Sequence, residues 1–280
     1  MKENNIIPIY QVDAFTDQPF RGNPAAVCLL QQQYEDHILQ FIAAEMNLSE
    51  TAFLSSIEEK SLKESRTFSL RWFTPKLEVP LCGHATLATA KVLFSDIDVL
   101  TDKIVFKTQS GNLIVKREKN GILLNFPADE PIPVDPPLEL LEALGITQFK
   151  NVAYARKLKN LLIHLEREES LENLKPDFEK MKITTSKVDI RGVIVTLSGY
   201  PPYDFISRFF APWVGINEDP VTGAAHTVLT PYWAKILKKN QMSAYQASSR
   251  GGKLTVRLSS NDRVDLIGNA VIIFKGELYL

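Results

Sequence analysis

The stretch Arg71-Trp72-Phe73-Thr74-Pro75, followed by Pro80-Leu81-Cys82-Gly83-His84-Ala85, occurs twice in this chain. The second copy lies half a chain later and reads Arg208-Phe209-Phe210-Ala211-Pro212, then Pro220-Val221-Thr222-Gly223-Ala224-Ala225. In each copy a strand-like segment ends at a proline, a loop follows, and a run of small and apolar residues starts at a glycine. This duplication predicts two similar domains that face each other, with a site where they join.

The segment between the two copies indicates where the domains divide. Residues 127–137 contain several prolines among acidic residues, which is typical of an interdomain linker. We therefore predict an N-terminal domain of residues 1–128 together with a final strand at about 270–280, and a C-terminal domain of residues 129–269. The chain length of 280 residues also favours two domains.

Hydrophobic periodicity predicts many short strands and few helices. The alternation of Phe68, Leu70 and Trp72 indicates a half-buried strand. A helix from Gly83 to Phe94 is apolar on every side, so its own domain is expected to enclose it. The second helix starts at Gly223 and carries Pro231, which is expected to kink or interrupt it because proline removes a helical hydrogen bond.

Composition is that of an ordinary globular protein. Hydrophobic residues make up 45% of the chain and charged residues 23%, and the net charge of −1 gives no reason to expect nucleic acid or a membrane surface as a partner. Residues 1–5 lead into a short apolar run that is unlike a signal peptide, so the cytoplasm is the expected location. The two cysteines, Cys28 and Cys82, cannot form a disulfide framework. Nucleotide-binding and metal-binding motifs are absent from the sequence, so no cofactor and no metal are expected.

Both glycine-initiated helices have the features of an anion site. A helix N-terminus presents backbone N–H groups that lack helical partners, together with a partial positive charge. The small residues Gly83, Gly223 and Ala224 would let a ligand approach that backbone closely. The alternative is that small residues only allow two helices to pack, and the duplication favours the site.

Four side chains near these helices are candidates for chemistry. His84 lies in the first helical turn, where histidine commonly caps or packs, although a neighbouring anion site would suit acid–base use. Asp219 precedes the second helix, and taken alone it is explained by the helix dipole. Glu50 taken alone is a solvated turn carboxylate. Cys82 and His84 are two residues apart, a spacing that rarely presents a nucleophile to a base.

Taken together, six segments of the chain resemble the PhzF family of phenazine-biosynthesis isomerase-like proteins. They are Tyr10-Gln11-Val12-Asp13-Ala14-Phe15-Thr16, Phe20-Arg21-Gly22-Asn23-Pro24-Ala25-Ala26-Val27, Met46-Asn47-Leu48-Ser49-Glu50-Thr51-Ala52-Phe53, Arg71-Trp72-Phe73-Thr74-Pro75, Leu81-Cys82-Gly83-His84-Ala85-Thr86 and Glu218-Asp219-Pro220-Val221-Thr222-Gly223-Ala224-Ala225-His226. The resemblance implies the α+β diaminopimelate-epimerase-like fold, in which two similar domains each wrap a curved, mostly antiparallel sheet around a central helix. It also implies an active site in the cleft between the domains, and a homodimer.

The resemblance further implies a cofactor-independent isomerase that moves a proton between carbons of a small unsaturated or cyclic carboxylic acid. Glu50 matches the glutamate that carries the proton, while His84 and Asp219 match the supporting residues. Backbone amides at Gly83 and Gly223 are expected to hold the substrate carboxylate. Ser49 and Ala224 are expected to line the substrate-binding pocket.

Two departures from the family pattern leave other functions open. Ala224 stands where the phenazine enzymes have a serine, so one hydroxyl contact to substrate is missing. Related epimerases and racemases use a cysteine from each half, whereas this chain keeps Cys82 and has Thr222, a very poor base, in the second half. The alternatives are a non-catalytic protein that binds small carboxylates, and an epimerase or racemase that uses Cys82.

Overall fold

The computed structural model describes residues 6–58, 60–166, 171, 173–260 and 262–280, so residues 1–5, on which the signal-peptide argument rests, lie outside it. The strands are β1 Ile6–Ala14, β2 Asn23–Leu30, β3 Glu50–Ser56, β4 Thr67–Phe73, β5 Glu78–Val79, β6 Lys103–Thr108, β7 Gly111–Glu118, β8 Gly121–Pro127, β9 Ile132–Pro133, β10 Phe149–Ala155, β11 Asn160–Leu165, β12 Gly192–Ser198, β13 Phe205–Phe210, β14 Gln241–Gln246, β15 Gly252–Ser260, β16 Arg263–Gly268 and β17 Ala270–Tyr279. The helices are α1 Asp36–Met46, α2 Gly83–Val92, α3 Leu138–Leu144, α4 Phe178–Ile183 and α5 Gly223–Leu237. A π-helical turn, Leu93–Ile97, continues α2, and a 3₁₀ turn, Pro212–Val214, follows β13.

The chain divides into two compact units. The first unit contains the residues up to Asn125 together with Leu266–Leu280, and the second unit is Phe126–Asp265. The last strand, β17, pairs with β1 in antiparallel orientation, so the end of the chain returns to the first unit. The domain boundaries predicted above, at residue 128 and at about residue 270, stay predictions.

Both units follow one pairing scheme. In the first unit the strands run in the order β17, β1, β2, β3, β4, β6, β7 and β8, with β2–β3 and β4–β6 parallel and the other pairs antiparallel. In the second unit the order is β9, β10, β11, β12, β13, β14 and β15, with β11–β12 and β13–β14 parallel. The same alternation of antiparallel and parallel pairs in both units shows that the sequence duplication extends to whole supersecondary structures.

One apolar helix packs on the sheet of each unit. Helix α2 packs on β1, β2, β3 and β17, and α5 packs on β14 and β15. Every residue from His84 to Ala90 is buried. This confirms the prediction that the first helix is enclosed by its own unit, as its lack of a polar face requires.

Helix α5 runs through Pro231, so of the predicted kink or interruption the interruption does not occur, and the kink stays a prediction. Proline removes the N–H that would bond the carbonyl four residues earlier, which belongs to Thr227. That carbonyl instead accepts the backbone N–H of Asp129 at 3.3 Å. A segment outside the helix therefore satisfies the group that proline leaves without a helical partner, and the helix continues.

The proline-rich segment predicted as a linker is bound to the second unit over much of its length. Near its start Ala128 and Asp129 are buried, and the N–H of Ala128 donates to the carbonyl of Asp262 at 2.8 Å. The side chain of Asp129 accepts the N–H of Leu158 at 2.8 Å. Further along, β9 pairs with β10. Prolines here fix an extended backbone that is held by neighbouring groups, so the segment is not a free tether.

The duplicated motif also carries a duplicated ion pair. In the first unit Arg71 donates to both carboxylate oxygens of Glu78, at 2.7 and 2.8 Å, and lies 5.1 Å from the Phe73 ring centroid. In the second unit Arg208 donates to both oxygens of Glu218, at 2.8 and 2.9 Å, and lies 5.0 Å from the Phe210 ring centroid. Each pair ties the end of a strand to the loop that leads to the central helix.

We expect removal of Glu218 to destabilise the protein more than removal of Glu78. The Arg208 side chain is 13% exposed and that of Arg71 is 30% exposed. Arg71 also pairs with Asp36, whereas Arg208 also donates to the carbonyls of Leu171 and Leu174, so loss of Glu218 leaves the better buried charge. We expect Glu218→Gln to lower the free energy of unfolding by about 2–3 kcal/mol and Glu78→Gln by about 1 kcal/mol, measured by urea denaturation. Glu179→Gln, which breaks an exposed pair with Lys182, is the control. Equal losses at positions 78 and 218 would contradict this ranking.

Candidate active site

A polar cluster forms in the first unit where two strands and a helix begin. Asn23 is the first residue of β2, Glu50 is the first residue of β3, and His84 is the second residue of α2. Strands β2 and β3 are parallel, with Ala25 opposite Glu50, so their starting ends lie at the same edge of the sheet. Helix α2 packs on both strands, which brings its first turn to that edge.

The side chains of this cluster surround the imidazole ring of His84. Its Nε2 lies 3.3 Å from Glu50 Oε2 and 3.3 Å from Ser49 Oγ. Its Nδ1 lies 3.3 Å from the amide nitrogen of Asn23 and 3.5 Å from Cys82 Sγ. The Ser49 hydroxyl also lies 3.3 Å from Asn23 Oδ1. The structure therefore brings the predicted residues Glu50, His84 and Ser49 together.

Burial determines the protonation state of the histidine. The ring of His84 is 6% exposed, and desolvation lowers its pKa to about 3. His84 is thus neutral at physiological pH and carries one ring proton. The side chain of Glu50 is only 13% exposed, so it is not the solvated turn carboxylate that its local sequence suggests.

Cys82 contacts His84 although the two residues are only two apart, so the expectation drawn from that spacing was wrong here. Cys82 precedes the helix in an extended conformation, with φ −144° and ψ 115°. The chain turns into α2 at Gly83, and this turn brings the Cys82 thiol beside Nδ1 of the ring. The contact could serve proton transfer as well as packing.

Glu50, Cys82 and His84 also offer three potential metal-ligand atoms within 4.8 Å of one another. Ligand atoms around a tetrahedral zinc ion lie roughly 3.3–3.8 Å apart, as follows from its bond lengths. Here Nδ1 of His84 faces the cysteine while Nε2 faces the glutamate, so the three groups do not converge on one ring nitrogen. The arrangement fits a chain of proton donors and acceptors better than a metal centre.

A second polar cluster surrounds the start of α5 in the second unit. The hydroxyl of Thr222 donates to Asp219 Oδ2 at 2.5 Å. Gln246, fully buried at the end of β14, accepts the N–H of Thr222 at 2.9 Å and donates to the carbonyl of Asp219 at 2.6 Å. Gln246 thereby fixes the backbone that leads from Asp219 into Gly223 and Ala224. Asp219 itself is 8% exposed.

The two helix starts are built alike. The residue before the helix is Cys82 in one unit and Thr222 in the other, and neither side chain bonds the amides of the first turn. The carbonyl of this preceding residue accepts a hydrogen bond from a side chain in the first turn of the helix. The carbonyl of Cys82 accepts from the hydroxyl of Thr86 at 2.5 Å, and that of Thr222 accepts from Nδ1 of His226 at 2.8 Å. The duplicated sequence thus forms a duplicated helix start whose first amides are not covered by a capping side chain.

Sequence reasoning did not single out Asn23 or Gln246. Asn23 stands inside one of the segments that resemble the PhzF family, yet nothing in the sequence places it against His84, which is 61 residues away. Gln246 lies 24 residues after Thr222, in the strand that follows α5. Each contact joins a strand residue to the segment where a central helix begins, and local sequence patterns do not reveal that packing.

Comparison with known proteins identifies the family. A family model described as phenazine biosynthesis-like protein matches residues 12–276. The phenazine biosynthesis-like domain-containing protein 1 of Mus musculus is 47% identical, with 97% of this chain and 99% of that protein covered. An uncharacterized isomerase of Halalkalibacterium halodurans is 46% identical, with 98% of each chain covered. The chain therefore belongs to the phenazine biosynthesis-like (PhzF) family.

A solved structure shows the same fold. The PhzF-family protein of Enterococcus faecalis has a TM-score of 0.87 and 44% identity to this chain, with 98% of this chain and all of that protein covered. The predicted α+β fold of the diaminopimelate-epimerase-like type is confirmed. Among the residues that the structure describes, no helix combines the length and the apolar character needed to cross a bilayer.

Proposed function

We propose that this protein is a cofactor-independent isomerase that moves a proton between two carbons of a small unsaturated or cyclic carboxylic acid. The observation that carries the proposal is the buried Glu50 carboxylate, which lies 3.3 Å from a neutral histidine. A carboxylate held among polar groups in a largely buried position is suited to take up a proton and return it. The name of the Halalkalibacterium halodurans relative, an uncharacterized isomerase, supports the same class of reaction.

In the proposed reaction Glu50 is the general base and then the general acid. One C–H bond of the substrate breaks, its proton forms an O–H bond on Glu50, and the electron pair enters a shifted double bond. Glu50 then returns the proton to a second carbon, so no other reactant is consumed. The neutral imidazole of His84 supports the carboxylate while it is ionised, and Ser49 lines the pocket beside both groups.

The helix starts are proposed to bind the substrate carboxylate. Amides in the first turn of a helix have no helical acceptor and suit an anion, and at both helices the preceding side chain leaves them uncapped. We assign this role to the backbone at Gly83, Gly223 and Ala224. For Asp219 we propose the supporting acid–base role that the family resemblance implies.

Homodimer formation, which the family resemblance implies, and the cytoplasmic location expected from the sequence are parts of this proposal. The family resemblance implies the dimer, and light scattering on the purified protein measures it directly. A monomer at micromolar concentration would remove dimerisation from the proposal without affecting the chemistry of Glu50.

Deuterium exchange tests the proposed reaction without knowledge of the natural substrate. We expect the protein to introduce deuterium from D2O into carbon positions of at least one acid in a panel of unsaturated, cyclic and amino acids, followed by NMR. An acid that stabilises the protein against heat but shows no exchange would instead support the binding-protein alternative. Exchange must disappear after heat denaturation, which controls for exchange catalysed by buffer.

One observation favours a second candidate function. Cys82 Sγ lies 3.5 Å from His84 Nδ1, close enough for the ring to accept the thiol proton. An epimerase or racemase that uses Cys82 would lose exchange at the α-carbon of an amino acid in Cys82→Ser. In the leading proposal Cys82→Ser retains most of the exchange activity. Cys28→Ser is the matched control because Cys28 is the other, fully buried cysteine.

A further inference from the structure

Three side chains of the first unit form a closed ring of hydrogen bonds. The amide nitrogen of Asn23 lies 3.3 Å from His84 Nδ1, and His84 Nε2 lies 3.3 Å from Ser49 Oγ. The hydroxyl of Ser49 returns to Asn23 Oδ1 at 3.3 Å. Each of the three side chains therefore donates to one neighbour and accepts from the other. The direction of donation around this cycle fixes which imidazole nitrogen of His84 carries the proton.

Donors face the Nδ1 edge of the His84 imidazole. With its oxygen on the Ser49 hydroxyl, Asn23 turns its NH2 group toward the histidine, and an amide nitrogen only donates. The thiol of Cys82 lies 3.5 Å from the same nitrogen and its S–H can donate there as well. Because the amide nitrogen can only donate, the histidine nitrogen that it faces is the unprotonated one.

Acceptors face the Nε2 edge. Glu50 Oε2 lies 3.3 Å from Nε2, and an ionised carboxylate has lone pairs only, so an unprotonated nitrogen there would be repelled. The hydroxyl of Ser49 has two acceptors, Asn23 Oδ1 at 3.3 Å and the carbonyl of Pro24 at 3.4 Å, and donation to either leaves a lone pair of Oγ for Nε2–H. Burial keeps the ring neutral, with a pKa of about 3, so the single ring proton belongs on Nε2.

We propose that Asn23 is a positioning residue that fixes His84 as the Nε2–H tautomer and so turns the N–H edge of the ring toward Glu50. The catalytic meaning of this role rests on the proposed function, whereas the tautomer itself does not. In the opposite tautomer a lone pair would face the carboxylate and destabilise its ionised form, which is the form that must take the substrate proton.

The backbone around Asn23 is built to hold this position. Asn23 is completely buried and lies opposite Ala14 in the β1–β2 ladder. Gly22, just before it, has φ +66°, and a Cβ at that position would lie 2.1 Å from the carbonyl oxygen of Ala14. Only glycine permits this close approach. The backbone conformation of Gly22 therefore fixes where Asn23 enters the cluster.

Nitrogen-15 NMR of the ligand-free protein measures the tautomer directly. The chain has four histidines, and loss of one set of ring signals in His84→Gln assigns His84. We expect wild type to show an unprotonated Nδ1 and a protonated Nε2 at neutral pH. A wild-type His84 with its proton on Nδ1 would overturn the proposal, whatever the protein does to any substrate.

Asn23→Asp tests whether Asn23 sets the tautomer, because a carboxylate offers only acceptors to Nδ1. We expect the ring proton to move to Nδ1, or the ring to become doubly protonated, and the kcat of deuterium exchange to fall about 10-fold to 100-fold with little change in KM. Cys82→Ala, which keeps both the Asn23 amide and the Ser49 hydroxyl that orients it, should keep the wild-type tautomer. An unchanged His84 spectrum in Asn23→Asp would refute the positioning role.

If Asn23→Asp fails to fold, Asn23→Ala tests the same positioning role. In Asn23→Ala only the Cys82 thiol still faces Nδ1, so we expect a mixture of tautomers in place of one, and a single unchanged tautomer would refute the role. If the tautomer responds as expected but wild type exchanges no acid, the proposed isomerase function fails while the role of Asn23 stands. The two outcomes are therefore distinguishable.

Discussion

Glu50→Gln is expected to lower the rate of carbon-bound deuterium exchange by about three orders of magnitude, within the range that general acid–base catalysis supplies. The amide has nearly the shape of the carboxylate, so the contact with His84 Nε2 at 3.3 Å can persist through the amide oxygen. The amide cannot accept a proton at neutral pH. The expected loss is therefore in kcat, with KM for the acid close to that of wild type.

Glu78→Gln is the matched control for this variant. Glu78 is another partly buried glutamate of the first unit, but it pairs with Arg71 and has no part in the proposed chemistry. We expect Glu78→Gln to exchange at the wild-type rate at temperatures where it is folded. Full activity in Glu50→Gln would remove Glu50 from the mechanism, and combined with loss in Cys82→Ser it would establish the cysteine-based epimerase instead.

Most of the fold could be predicted from the sequence because local residue patterns determine its strands and helices. Alternating apolar residues such as Phe68, Leu70 and Trp72 form a strand at Thr67–Phe73, and the apolar run after Gly83 forms the enclosed helix. The helix continues through Pro231 because Asp129, a residue about a hundred positions away, donates its N–H to the carbonyl of Thr227. Local rules predict that proline removes a bond, but they cannot reveal what replaces it.

The candidate site was accessible only in part, for the same reason. Glu50 and His84 came from the resemblance to a family and from the position of His84 at a helix start. By its local context alone, Glu50 would have been assigned to solvent. Asn23 and Gln246 were missed because each lies in a strand and meets a residue at the start of a central helix, 61 and 24 positions away along the chain. A buried polar ring is a property of the assembled sheet and helix, and no single segment carries its pattern.

Acidification is expected to destabilise this protein well above the pH range where its carboxylates titrate. Three histidines are buried: His84, His164 and His226 are 6%, 5% and 0% exposed. Desolvation lowers the pKa of His84 to about 3 and that of His226 to about 4. For His164 the pKa is also lowered to about 4, by burial first and then by the charge of Lys150. In the unfolded chain each would titrate near its ordinary value of 6.5.

The sign of the effect follows from proton binding. Between about pH 4 and 6.5 the unfolded chain binds more protons at these histidines than the folded protein does, so the free energy of unfolding falls as the pH falls. By pH 5 each buried histidine accounts for a loss of about 2 kcal/mol relative to pH 8, or several kcal/mol for all three. Carboxylates with lowered pKa values, such as Asp96 and Asp204, add to the loss only at lower pH.

Urea denaturation at half-unit steps from pH 8 to 5 measures this dependence, and His226→Asn identifies its source. The asparagine amide can keep the donor to the Thr222 carbonyl that Nδ1 now provides at 2.8 Å, while the titrating group is removed. We expect His226→Asn to remove about one third of the pH-dependent change in the free energy of unfolding. His164→Asn is expected to remove a similar fraction. A variant curve parallel to wild type would show that His226 titrates in the folded protein at the same pKa as in the unfolded chain. In that case its burial, and the absence of a hydrogen-bond partner for its Nε2 among the described residues, would not keep the ring neutral. Buried neutral histidines on both central helices would then no longer explain the acid sensitivity. The role of His84 as a neutral donor beside Glu50 depends on its lowered pKa, which would then have to be titrated directly by NMR.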